Sequence, residues 1–201
     1  GTWNSAGTWS PSGVPATGDS IIGAVTSGQL TITSSATVAS LDFSAYNNTI
    51  TFTSGTITVN TATSSFFGPS CSITGTSGIL SFITTDHAIN YSSTSRIPNL
   101  SLNNGTKTIS GTLLASNVTI LGSLNIYNGV LDINGNYTAT TANANINGNN
   151  TATVKLTGTG SISMANNRGS SIGSVNLVLD TSGTITFPSS NQGYLYYGGT
   201  A

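Results

Sequence analysis

Charge is what this chain has least of. Only nine of the 201 residues are charged, five Asp and four Lys or Arg, and Glu is absent. The charged fraction is 4%, whereas a typical globular domain has about 25%. Surface helices rely on Glu, Lys and Arg, so this composition argues against long helices. Nucleic acid binding needs a clustered basic patch, and four scattered cations with a net charge of −1 do not supply one.

Long apolar runs and paired cysteines are also missing. No stretch of about 18 apolar residues occurs, so we expect no membrane insertion. Cys71 is the single cysteine. It excludes an internal disulfide, and we expect it to be a small buried hydrophobe. The chain begins with Gly1 rather than Met, so we expect it to be a processed or excised fragment of a longer protein.

Uncharged polar residues take the place of charged ones in this composition. Thr, Ser, Asn and Gly number 34, 31, 22 and 24, more than half of the chain. Such a composition is compatible with disorder, but disordered segments have few β-branched residues. Here Ile, Val and Leu alternate with Thr, Ser and Asn. That pattern is typical of strands whose polar side chains pair across a sheet.

The alternation occurs in short units. Leu30–Ile32, Val118–Ile120 and Leu124–Ile126 each read apolar, polar, apolar, which predicts short strands with one buried face. Between Ser116 and Tyr137, three such strands are separated by short corners with turn residues, a triangular coil of roughly 20 residues. The sequence therefore predicts an all-β fold, a single parallel β-helix or solenoid, with about nine coils and a length of about 43 Å. An antiparallel fibre fold remains the alternative.

Both tryptophans lie within the first nine residues. Trp3 and Trp9, followed by Pro11 and Pro15, offer a large apolar area and few strand donors. We therefore predict an N-terminal cap over residues 1–24 and solenoid coils over residues 25–201, in a single domain. The alternative for the tryptophans is a platform on which sugars stack.

The cap segment and one later segment resemble a known class of proteins. Gly1-Thr-Trp3, Trp9-Ser-Pro11-Ser-Gly-Val14-Pro15 and Gly18-Asp19 are similar to the opening of many bacterial surface proteins, as is Ile97-Pro-Asn-Leu-Ser-Leu-Asn-Asn-Gly-Thr-Lys-Thr-Ile-Ser-Gly-Thr. These proteins include large adhesins of the Bacteroidetes type IX secretion route and autotransporter passengers. Phage tail fibres and other virion appendages contain similar stretches. The resemblance implies an extracellular β-solenoid at a bacterial cell surface, or alternatively in a virion, without a defined catalytic set.

Polysaccharide cleavage is the enzymatic alternative. Glycoside hydrolysis needs two carboxylates about 5–10 Å apart. Asp42 and Asp132 are expected at exposed strand positions, and no aspartate has a second acid nearby in the sequence. We interpret the aspartates as solvated side chains and the chain as non-enzymatic.

Asp86, His87 and Arg96 form the one cluster that mixes an acid, a base and a cation, so they are candidate ligand-binding residues. Neighbouring residues of a strand point to opposite faces, which argues against an acid–base pair at Asp86 and His87. A lone histidine without partner ligands is not a metal site. We expect neither a metal nor a cofactor.

Two further features concern binding. Tyr194, Tyr196 and Tyr197 are the aromatic candidates for glycan contact; closure of the last coil or contact with a next module is the alternative. Ordered threonines on a flat solenoid face can bind ice. Thr-x-Thr occurs at eleven places, with first members that include Thr31, Thr49, Thr51, Thr56, Thr151 and Thr184. The intervals between these pairs are irregular, so ice binding is a lesser alternative.

Taken together, the residues and the resemblance predict a non-enzymatic, extracellular structural and adhesive module. Its expected partners are glycans, neighbouring modules of the same chain or copies of itself. The alternatives are a virion structural protein, a polysaccharide-degrading β-helix enzyme and an ice-binding protein.

Overall fold

The computed structural model describes residues 1–61, 64–84, 86–140, 144–148, 151–164 and 175–186. Within these ranges the chain is all-β, apart from one turn of 3-10 helix at Ala6–Thr8. All the strand pairings found there are parallel and build a solenoid of about seven turns. The sequence prediction of a parallel β-solenoid is therefore confirmed, and the antiparallel alternative is wrong.

The strands are short, as the alternation predicts. In chain order they are β1 (Ser20–Ile22), β2 (Leu30–Ile32), β3 (Ala36–Val38), β4 (Ser40–Phe43), β5 (Thr49–Phe52), β6 (Thr56–Val59), β7 (Ser64–Phe67), β8 (Ser72–Gly75), β9 (Ile79–Phe82), β10 (Asp86–Tyr91), β11 (Ile97–Leu102), β12 (Gly105–Ile120), β13 (Leu124–Tyr127), β14 (Val130–Ile133), β15 (Tyr137–Ala139), β16 (Ile146–Gly148), β17 (Thr153–Gly158), β18 (Ile162–Met164), β19 (Asn176–Thr181) and β20 (Ile185–Thr186).

Each turn contributes to three faces. The first face stacks β1, β4, β7, β10, the start of β12, β13 and β16. The second face stacks β2, β5 and β8, and later the middle of β12, β14, β17 and β19. The third face stacks β3, β6, β9, β11, the end of β12, β15, β18 and β20. Strand β12 thus runs through all three faces.

The number of residues in a turn varies, although the strands stay in register. Leu100 pairs with Val118, 18 residues later. Tyr137 pairs with Ile162, 25 residues later. The corners absorb this difference because the strand positions alone form the hydrogen-bonded ladders. The described residues form about seven turns, fewer than the nine coils predicted for the chain, and a turn such as that from Tyr137 to Ile162, with 25 residues, is longer than the roughly 20 residues that the prediction assumed.

Inward-pointing residues of all three faces form one continuous core. Alternate positions such as Ile32, Ile57 and Leu80 are at most 1% exposed. One aromatic column follows the first face, where the ring centroids of Phe43 and Phe67 are 6.0 Å apart and those of Phe67 and Tyr91 5.5 Å apart. Burial of each large apolar side chain stabilises the fold by about 1.5–3 kcal/mol. Cys71 is buried, as expected for a small hydrophobe.

The N-terminal segment closes the core below the second face. Thr2 forms a parallel bridge with Thr31. The Trp3 N–H donates to the Thr31 carbonyl, and the Thr31 N–H donates to the Gly1 carbonyl, both at 2.8 Å. Trp3 is 1% exposed and meets Trp9 edge-on, with ring centroids 5.0 Å apart. The tryptophans therefore cap the apolar end of the solenoid, and the segment adds one partial rung to it.

Candidate functional site

A column of hydroxyl residues follows the third face. The central outward position of each successive strand is Thr or Ser, and paired registers join these positions from β3 to β20. We call this set the hydroxyl column: Thr37, Thr58, Ser81, Ser101, Thr119, Thr138, Ser163 and Thr186. Ser81 and Ser101 are buried between their neighbours, whereas the other members are partly or fully exposed. The column presents an uncharged donor and acceptor at six of its eight rungs.

An asparagine ladder lies beside the hydroxyl column. The Asn117 Nδ2 donates to Asn99 Oδ1 at 3.1 Å, and Asn117 Oδ1 accepts from the Asn136 N–H at 3.0 Å. Ser161 then donates to Asn136 Oδ1 at 2.8 Å. These amides are occupied by contacts between turns, so their main effect is to stabilise the stack.

A second regular set, the threonine array, occupies the N-terminal part of the second face. Thr31, Thr51 and Thr74 pair in register on β2, β5 and β8. The hydroxyls of Thr51 and Thr74 are 3.2 Å apart. Two positions further along the chain, just past the end of each strand, lies another threonine, which gives three Thr-x-Thr pairs: Thr31 and Thr33, Thr51 and Thr53, Thr74 and Thr76. Thr2 lies below the first column through its bridge to Thr31.

The first threonines of the array are in register, although the numbers of residues between them are unequal. The Thr53 N–H donates to the Ile32 carbonyl at 3.0 Å, and the Thr76 N–H donates to the Phe52 carbonyl at 3.2 Å. These bonds complete the last registered pairs, Ile32 with Phe52 and Phe52 with Gly75, so each second threonine directly follows a paired residue. The unequal spacing of Thr-x-Thr along the chain therefore did not reveal that Thr31, Thr51 and Thr74 are in register.

Further along the second face, an ion pair links several turns. The Arg96 guanidinium donates to Asp132 Oδ1 at 2.9 Å and to the Ala115 carbonyl at 3.1 Å. Thr157 donates to the same carboxylate oxygen at 3.1 Å. Asp132 is 9% exposed. The expectation that Asp132 is a solvated strand residue is therefore wrong, because Arg96 and Thr157, from two other turns, donate to its carboxylate.

The structure separates Asp86, His87 and Arg96. Asp86 is exposed, His87 points into the core, and Arg96 pairs with Asp132 instead. The His87 Nδ1–H donates to the Thr61 carbonyl at 3.1 Å, which leaves Nε2 to accept from the Ser65 hydroxyl at 3.0 Å. Burial lowers the pKa of His87. The three residues share no surface at which a ligand would touch all of them.

Lys107 is a buried group that sequence reasoning missed. Its Nζ donates to the Thr84 carbonyl at 2.6 Å and to the Asn104 carbonyl at 3.0 Å, and the residue has no exposed surface. Burial lowers the pKa of Lys107 to about 8. The signal was present in the alternation, because Lys107 has the same inward phase as Ile109.

The tryptophans lie beside a groove of about 1060 Å³ between the cap segment and the first turn. Trp3 is buried and offers no ring face to a sugar. Trp9 lines the groove, but its Nε1–H already donates to the Trp3 carbonyl at 2.8 Å. The contacts of the two rings are thus mainly with each other and with the core.

The predicted glycan-contact residues Tyr194, Tyr196 and Tyr197 lie outside the described residues. Among the residues that are described, no group of three or more His, Cys, Asp or Glu side chains has a geometry that could hold a metal ion. In the same part of the chain, no helix has the length and apolar character of a transmembrane span.

Comparisons with protein-family models, with curated proteins and with solved structures returned no match for this chain.

Proposed function

We propose that this chain is a non-enzymatic structural and adhesive module, a β-solenoid rod at a bacterial cell surface that contacts neutral glycans along its third face. The observation that carries the proposal is the hydroxyl column, which places Thr or Ser at the same outward position from β3 to β20. A polymer of neutral sugars offers hydroxyls at regular intervals. A rod with a regular row of hydroxyls can contact many of them at once, and linked weak contacts give high avidity.

The distribution of charge supports a neutral ligand. Lys107 is buried, and Arg96 is paired with Asp132, so neither cation is free to attract an anion. The hydroxyl column itself contains no charged residue. Binding that depends on hydroxyls rather than ions is screened little by salt. We therefore expect glycan binding that persists at high ionic strength.

The internal structure supports a mechanical role. Parallel ladders and the core join neighbouring turns, and the asparagine ladder adds contacts between the turns that hold Asn99, Asn117 and Asn136. In stacked-repeat proteins, stability is approximately a sum over repeats and their interfaces. A short side chain such as Thr or Ser also loses little conformational entropy when a ligand covers it. The fold therefore suits a stiff element that holds a binding row in place.

The binding test uses the purified chain and a panel of insoluble neutral polysaccharides such as cellulose and mannan. We expect saturable retention that is similar at low and high salt. Thr58→Lys and Thr138→Lys, both in the hydroxyl column, should each weaken retention at least fivefold. Thr108→Lys is the matched control, because Thr108 is an exposed threonine on the first face. Equal loss in the control, or no retention of the parent chain, contradicts the assignment of the third face.

The location test is immunogold electron microscopy of the source culture with antibody against this chain. Label along the cell envelope supports the surface module. Label confined to phage particles replaces it with the virion alternative. Release of sugar products from any polysaccharide, lost when Asp86 or His87 is changed, would instead establish an enzyme.

A further inference from the structure

The threonine array has a geometry that the proposed glycan row does not need. One direction follows the stack of turns, along which Thr31, Thr51 and Thr74 pair in register, and the other leads from each of these residues to the threonine just past the end of its strand. Neighbouring turns are about 4.7–4.9 Å apart, and alternate residues of a strand about 6.6–6.8 Å apart. The array therefore repeats a hydroxyl and a methyl group at a fixed spacing from turn to turn. The extended spacing along the chain applies to Thr31–Thr33 and Thr51–Thr53, whereas Gly75, which precedes Thr76, has a φ of 129°.

The array is also stiff and uncharged. Thr is β-branched, so its side chain has few rotamers, and the in-register strands fix the backbone beneath it. Ile32, Ile50 and Ile73, the inward neighbours, are at most 3% exposed and hold the strands against the core. No charged residue lies within β2, β5 or β8. Such a surface can order water without a flexible or ionic group to disturb it.

Hexagonal ice has two repeats that are close to these spacings. Water oxygens form tetrahedral hydrogen bonds about 2.75 Å long, so two oxygens bonded to the same water lie about 4.5 Å apart. The same bond length gives a repeat of about 7.3 Å along the perpendicular hexagonal axis. The spacing between turns differs from the first repeat by a few tenths of an ångström, and the spacing of alternate residues in an extended chain differs from the second by about 0.5–0.7 Å. Over three or four rungs the accumulated mismatch stays near 1 Å or below.

We propose that the threonine array, Thr31, Thr33, Thr51, Thr53, Thr74 and Thr76, binds ice. The hydroxyls take positions that continue the hydrogen-bonded lattice, and the methyl groups between them order the adjoining water. Ice fits better than a single glycan chain, because a glycan chain repeats in only one direction. The inference goes beyond the proposed function and uses a different face, so either can fail alone.

The test is thermal hysteresis of the purified chain, together with its partition into a slowly growing ice hemisphere. We expect measurable hysteresis and enrichment of the chain in the ice. Thr51→Lys places a long charged side chain at the centre of the array and should reduce both readouts at least tenfold. Thr108→Lys, which adds the same charge on the first face, should retain them. Circular dichroism melts of both variants show whether each remains folded.

Three results would overturn the inference. The first is a parent chain without hysteresis or enrichment. The second is an equal loss in Thr108→Lys, which would assign the effect to charge rather than to the array. The third is retention on crystalline polysaccharide that is lost in Thr51→Lys, without enrichment in ice, which would make the array a polysaccharide surface. Glycan retention through the hydroxyl column is measured separately with Thr138→Lys, so failure of one proposal is distinguishable from failure of the other.

Discussion

The second face differs between its two ends, although the same backbone ladder forms both. On β2, β5 and β8 the outward positions carry the threonine array. On β12, β14, β17 and β19, one outward column instead reads Leu114, Asp132, Lys155 and Val178. The inward residues remain apolar at both ends. The comparison shows that the core constrains only alternate residues, so the outward residues of each segment are free to serve a separate purpose.

A substitution in the core, which is common to both ends of the second face, should lower the free energy of unfolding the most. Phe67→Ala removes the middle ring of the aromatic column between Phe43 and Tyr91. A cavity at this position should lower the free energy of unfolding by about 3–5 kcal/mol. Chemical denaturation with fluorescence detection measures this loss. A loss below about 1 kcal/mol would mean that the column repacks and that the inward positions are less constrained than the comparison requires.

The next largest loss of stability should occur at one end of the second face and not at the other. Asp132→Ala removes the acceptor for Arg96 and Thr157 and leaves a partly buried cation without its partner. We expect a loss of about 1–3 kcal/mol. Thr74→Ala, in the threonine array, is the matched change at the other end and should alter stability by less than about 0.5 kcal/mol. Similar losses from both changes in parallel urea titrations would show that the exposed hydroxyl contact between Thr51 and Thr74 stabilises the fold as much as the Asp132 contacts do.

The smallest expected effect on stability comes from Lys107, whose charge lies inside the solenoid rather than on one of its faces. The pKa of Lys107 is about 8 in the folded chain and near 10.5 in the unfolded chain. Between these values the unfolded chain binds more protons, so the free energy of unfolding should rise with pH, by at most about 1.4 kcal/mol per pH unit. Lys107→Met should remove this rise. The comparison of the two proteins between pH 7 and 9 avoids the range in which the buried tyrosines ionise in the unfolded chain. Identical pH profiles would show that Lys107 keeps its proton on folding.

The fold was predictable because alternation is a local property. Leu30–Ile32 was predicted as a strand and is β2, and the inward phase of Val118 and Ile120 follows from the same pattern. The relation between turns was not predictable, because the corners vary in length and conceal which residues become neighbours. For this reason the threonine array looked irregular in the sequence. The pairing of Arg96 with Asp132, 36 residues apart, was hidden in the same way.

The candidate site was predicted less well than the fold, for a related reason. Asp86 and His87 are neighbours in the chain, yet the pleat sends one outward and the other inward. Lys107 was readable as inward from its phase with Ile109, but its charge argued for exposure. Two backbone carbonyls, from Thr84 and Asn104, resolve that conflict, and neither carbonyl is visible in a list of side chains.

The variable corner lengths have a consequence for how such a chain can change. Turns of 18 and 25 residues stack in the same register. An insertion or deletion at a corner therefore leaves every face in phase, whereas the same change within a strand inverts the side chains that follow it. Length variation at the corners is thus decoupled from the surface pattern, and loops, tags or whole domains can be grafted there without disturbing the neighbouring faces.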